Sequence, residues 1–94
     1  MNVYLITFQD TGDEARGLRL VAAIKSYGSW ARITPFTWCV KTMDDKTTAI
    51  IRDEINEKCR LQDGERLFVV NITNSPWASF YVPKEVADWL KDNK

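Results

Sequence analysis

The chain opens on a run, Val3-Tyr4-Leu5-Ile6-Thr7-Phe8, that is β-branched or aromatic almost throughout and predicts a central strand covered on both faces. Thr11-Gly12-Asp13-Glu14 reads as a capping box, Thr11 accepting from the backbone of the residue three on and Glu14 reaching back. Beyond it Gly17, Leu20, Val21, Ile24 and Tyr27 recur at spacings of three and four, with Arg16, Arg19, Ala23 and Ser26 on another side. That period predicts a helix with one buried stripe, ended by Gly28 in the left-handed conformation.

Two strand-like runs follow, Trp30–Thr34 and Thr37–Thr42, joined through Pro35-Phe36. So short a connection predicts an antiparallel hairpin, and the proline favours a bulge or a sheet edge. Thr47 or Thr48 caps a second helix with Ile51, Ile55 and Cys59 on its buried stripe, which makes Cys59 a small core residue. Asp63-Gly64 is a turn, and residues 67–73 form the most strand-like run of the chain.

The resulting order is β-α-β-β-α-β. Right-handed crossovers then place both helices on one face of one antiparallel sheet, a ferredoxin-like βαββαβ sandwich of the α+β class. Residues 1–94 read as one domain, with a core of 1–73 and an extension of 74–94. In the extension Trp77-Ala78-Ser79-Phe80-Tyr81-Val82 predicts a short extra strand, and Pro83 precedes a helix running through Glu85–Leu90.

Composition narrows the function classes. Lysine and arginine balance aspartate and glutamate at 13 each, which removes the electrostatic footprint of a dedicated nucleic-acid binder. The first 42 residues are mildly basic, the remainder mildly acidic. The chain has no histidine, and its two cysteines, Cys39 and Cys59, form no CxxC pair, so no zinc site is expected. Without histidine as general base, no serine has a triad context, and the glycines form no nucleotide-binding spacing, so no cofactor is expected. The N-terminus has no signal-peptide pattern, and no apolar run reaches the roughly 20 residues of a membrane span. These features point to the cytoplasm, with both thiols reduced and no membrane partner.

Chemistry-bearing residues are few. Asp10, Asp13 and Glu14 lie at the end of the first strand, where α/β folds hold metals or phosphates; as a helix cap and a turn they need no ligand. Arg16, Arg19 and Arg32 are the candidates for phosphate contacts, sequence-independent and steeply salt-sensitive. Four tryptophans suit either a base-stacking platform or a core and interface. In the extension Trp77, Phe80, Tyr81 and Trp89 form a candidate protein interface.

Tyr4-Leu5-Ile6-Thr7-Phe8, Ile24 to Trp30, Thr37 to Thr42 and Leu67-Phe68-Val69-Val70 together resemble the CRISPR-associated Cas-two superfamily, and within it the small SinR-like stand-alone proteins. The resemblance implies a ferredoxin-like homodimer whose sheets pack on each other, a C-terminal strand of one protomer extending the partner's sheet. Members of particular branches are metal-dependent nucleases, spacer-integration components or toxin-like ribonucleases. The nuclease branches place an aspartate directly after the aromatic residue that ends the first strand, where two copies hold magnesium or manganese to activate water. Here Phe8 is followed by Gln9, a neutral amide, and Asp10 comes one position later. A one-residue shift turns a strand side chain to the opposite face. The expectation is therefore a small dimeric binding or scaffold protein, nucleic-acid-associated and without nuclease activity. The alternatives are a metal-dependent endonuclease or ribonuclease using Asp10, and a protein–protein interaction module.

Overall fold

Alternation along the first strand places Tyr4, Ile6 and Phe8 on one face and Val3, Leu5 and Thr7 on the other, and a computed structural model of the chain, describing residues 1–9 and 12–93, shows both faces used. β1 (Asn2–Gln9) is followed by α1 (Glu14–Lys25), β2 (Ser29–Thr34), β3 (Thr37–Thr42), α2 (Thr48–Cys59), β4 (Arg66–Asn71) and α3 (Lys84–Asn93). The strands form one open antiparallel sheet in the order β2-β3-β1-β4.

On the first face Tyr4, Ile6, Phe8, Trp38 and Val40 pack against Leu20 and Ile24 of α1 and Ile51, Ile55 and Cys59 of α2. The buried arc of α1 is wider than a single stripe: Ala23, expected on the polar side, is buried, because α1 packs against α2 as well as the sheet. The cap of α1 is Asp13, whose side chain accepts from the backbone N–H of Arg16 at 3.0 Å. It takes the role expected of Thr11, which lies outside the described residues together with Asp10 and Lys94. Of the two candidate caps for α2, Thr47 is the one used, its hydroxyl accepting from the N–H of Ile50 at 3.1 Å.

The hairpin between β2 and β3 has its register shift between Arg32 and Thr34, and β2 lies at a sheet edge. β4 stops at Asn71 rather than Thr73. The Asn71 side chain accepts from the N–H of Thr73, and the Thr73 hydroxyl accepts from the N–H of Val3, so the backbone turns away under local side-chain bonds.

The extension departs furthest from expectation. Residues 77–82 form no strand; they run as an irregular strap, and α3 then lies on the second face of the sheet, opposite α1 and α2. There Val86 and Leu90 pack on Ala31 and Cys39, flanked by Leu5, Ile33, Ile72, Val82 and Trp89. The Trp89 indole N–H donates to the Ser29 hydroxyl at 3.1 Å, fixing α3 to β2. α3 covers the β2–β3 half of this face; in the β1–β4 half Val3 and Leu5 are covered as well, and the open part is the end around Thr7 and Phe68. Among the described residues no helix is long and apolar enough to cross a membrane.

Candidate functional site

The open end of the second face holds a cleft of about 470 Å³ lined by Thr7, Phe8, Gln9, Phe36, Arg66 and Phe68. Phe68 is 61% exposed and Phe36 51%. Phe36 is held edge-on to Phe8 at 5.9 Å, and the Phe8 N–H donates to the Phe36 carbonyl at 2.9 Å, so the hairpin tip is tied to β1. Gln9, which follows the last aromatic residue of β1, is paired across the sheet with Arg66. A neutral amide beside a guanidinium is a poor place for a hard divalent cation, which seeks oxygen ligands with negative charge. Asp10 lies outside the described residues, and among those described no three carboxylate, cysteine or histidine side chains stand together as a metal cluster.

The three arginines separate. The Arg16 side chain is 14% exposed, and its Nη1 donates at 2.9 Å to a carboxylate oxygen of Glu65, whose side chain is fully buried, and lies 3.5 Å from Asp13. Arg16 is thus engaged within the fold. Arg19 is exposed on α1. Arg32 is exposed on β2, where its guanidinium lies 5.0 Å over the Trp38 ring and donates to the Pro35 carbonyl at 3.2 Å. Its neighbour is Lys25, whose ammonium sits 4.9 Å over Trp30 and 5.9 Å over Trp38. Trp30 and Trp38 are in tilted contact at 5.3 Å. The cation–aromatic group at the β2 edge is therefore Lys25, Trp30, Arg32 and Trp38. Sequence reading missed Lys25 because helix and strand positions meet there only in three dimensions.

The four extension aromatics separate as well. Trp89, on α3, is half-buried against β2, Trp77 rims the cavity beneath the strap, and Phe80 and Tyr81 stand in solvent at 89% and 100% exposure, their rings 5.9 Å apart. Phe68 and Phe36, absent from the sequence candidates, are large apolar side chains exposed at the cleft. Their signal is the alternation Arg66, Phe68, Val70 against Leu67, Val69, which assigns Phe68 to the face that α3 does not reach.

A polar group joins the C-terminal end of α1 to α2. The Tyr27 hydroxyl donates to one Glu54 oxygen at 2.8 Å and the Lys46 ammonium to the other at 2.7 Å, while the Tyr4 hydroxyl donates to the Lys46 carbonyl. Lys46 and then Tyr27, as donors, hold the Glu54 carboxyl below its ordinary range, and the Glu54 bond raises Lys46. Burial first, then Glu54, pushes the Tyr27 phenol far up. A phenol so held stays protonated and is no base. Burial likewise pushes the Cys59 thiol up, away from the reactive thiolate. No protein-family model matches this sequence, and no curated protein is significantly similar to it.

Proposed function

We propose that the protein is a small homodimeric binding or scaffold protein of the Cas-two-like kind, acting in the cytoplasm without nuclease chemistry, and that the second copy meets the β4 edge. A ferredoxin-like reading is supported by the order β2-β3-β1-β4, antiparallel at every pairing, with α1 and α2 on one face. The observation that carries the assembly is the difference between the two sheet edges. β2 is interrupted by a bulge, a feature that blocks edge-to-edge pairing. β4 pairs with β1 in an unbroken register over all six residues, contains no proline, and shows Phe68 to solvent. An edge of that kind is a template for another strand, and the zero net charge raises no barrier to self-association.

Light scattering after size exclusion tests the reading. The parent protein is expected to be dimeric at high micromolar concentration, and Phe68→Lys to shift it to monomer with its circular dichroism unchanged. A parent that stays monomeric, or a Phe68→Lys protein that stays dimeric, removes the proposal. Incubation with labelled RNA and DNA plus magnesium or manganese tests the chemistry. Parent and Gln9→Asp are compared, and cleavage by the parent that disappears in Asp10→Ala establishes the nuclease alternative.

Nucleic acid is the second partner class, favoured by the Lys25–Trp30–Arg32 group. Contacts there place cations beside a partly exposed aromatic ring, the combination that grips single strands. Weak binding that falls steeply with salt and is lost in Lys25→Ala/Arg32→Ala supports it; binding unchanged by both rejects that assignment.

A further inference from the structure

Beneath the strap lies a cavity of about 220 Å³, partly open to solvent, between the second face of the sheet and α3. Its floor is Leu5, Ile33 and Cys39, Leu90 forms a wall, and Trp77 and Ala78 roof it. Among the described residues no charged side chain lines it, and the hydroxyls at its wall, Ser75 and Ser79, belong to the strap. Ordered water needs two to four polar partners, whereas an apolar space of about 150 Å³ stays dry and takes up benzene. Among the described residues, backbone hydrogen bonds hold the strap at its ends. The Ser75 N–H donates to the Ile72 carbonyl at 3.0 Å, and the Pro83 carbonyl accepts from Val86 and Ala87 as the first turn of α3. From Pro76 to Val82 no backbone group is hydrogen-bonded to another backbone group of the described residues. Asn74 and Tyr81, near the two ends, both hold positive φ, at 65° and 58°, a conformation that is rare and strained for a tyrosine. The strap can therefore lift without breaking a ladder.

We infer that this cavity is a binding site for a small, uncharged, apolar molecule between benzene and indole in size, admitted by movement of the 76–82 strap. The lining argues for that class: a charged ligand would find no countercharge, and a polar one would leave its donors unmet against Leu5, Ile33 and Leu90. The chain's own Phe80 and Tyr81 lie outside in solvent and do not fill the space. The site stands apart from the β4 edge, so it holds whether or not the second copy docks there.

Toluene and indole are the probes. Methyl-detected NMR of the full chain is expected to show saturable shifts at Leu5, Ile33 and Leu90 and none at Leu20 or Ile55 on the other face. Saturating toluene is also expected to raise the melting temperature by about 2 °C or more. Ala78→Phe, a change in the roof that leaves sheet and helices untouched, fills the space and weakens binding at least tenfold. Phe68→Lys leaves the response intact. Absence of shifts at saturation, shifts spread over both faces, or equal binding by Ala78→Phe each overturns the inference. Methyl shifts that instead follow protein concentration and vanish in Phe80→Ser assign the cavity to a neighbouring copy's aromatic ring and likewise overturn it.

Discussion

Arg16→Ala is expected to unfold much of this protein's stability margin rather than merely remove a surface cation. The Glu65 carboxylate is fully buried and its Oε2 receives the Arg16 guanidinium at 2.9 Å. Its other oxygen accepts from the N–H of Gln62 at 2.7 Å and remains in place in the variant. Removing one member of a buried ion pair costs about 3–5 kcal/mol because the remaining charge keeps its desolvation penalty. With the Gln62 bond retained and Arg16 slightly exposed, the lower end, about 3 kcal/mol, is expected. At a urea m-value of about 1 kcal/mol per molar, that is a midpoint lower by about 3 M. Exposed Arg19 serves as the control, and Arg19→Ala should stay within about 0.5 kcal/mol of the parent. Arg16→Met/Glu65→Met, which removes both charges and keeps volume, should recover part of the loss. An Arg16→Ala midpoint indistinguishable from that of Arg19→Ala refutes the argument. The test also bears on function: loss of nucleic-acid binding in an Arg16→Ala protein would report unfolding, so Lys25 and Arg32 are the better probes.

Two further outcomes follow from the same contacts. Glu54 has its carboxyl pKa depressed by Lys46 and Tyr27, so its contribution is full above the ordinary carboxylate range and is lost as pH falls through the depressed value. Urea midpoints of parent and Glu54→Gln should therefore converge on acidification, and a gap that stays constant from neutral pH to pH ~3 contradicts the assignment. Trp89→Phe removes the indole bond to Ser29 and should cost about 1 kcal/mol, a melting temperature lower by about 5 °C, with hydrogen exchange rising first in α3; uniform exchange through the sheet speaks against α3 docking as a separable step.

The elements legible in the sequence are those whose signal is local. The stripes of Leu20, Ile24 and of Ile51, Ile55, Cys59 carry their period within a dozen residues, and each lands on the core. The strap shows the limit of local signals. Trp77 to Val82 has the residue types of a strand, but a strand needs a ladder, and this segment lies over the sheet face rather than beside an edge. Arg16 marks a second limit: its partner, Glu65, is 49 positions away, and no composition count distinguishes an arginine held by a buried carboxylate from one held by water. Phe68 marks a third. Leu67-Phe68-Val69-Val70 reads as a strand, but which of its faces is covered depends on how far α3 extends across the sheet.

That extent follows from geometry. A helix with its side chains is about 10 Å wide and neighbouring strands lie about 4.8 Å apart, so one helix covers roughly two strands. α1 and α2 together bury the central strands of the first face, β1 from Tyr4 to Phe8 and β3 at Trp38 and Val40. α3 stands alone on the second face. Fixed to β2 through Trp89 and Ser29, it reaches β2 and β3 and falls short of β4. The exposure of Phe68 is therefore a consequence of three helices serving a sheet whose two faces call for four. Arg66 and Gln9 at that open end disfavour a cation, and Phe68 with Phe36 offer apolar area. A strand added at the β4 edge, as proposed for a second copy, would bring its own side chains against Phe68, and such a copy is present at equal concentration.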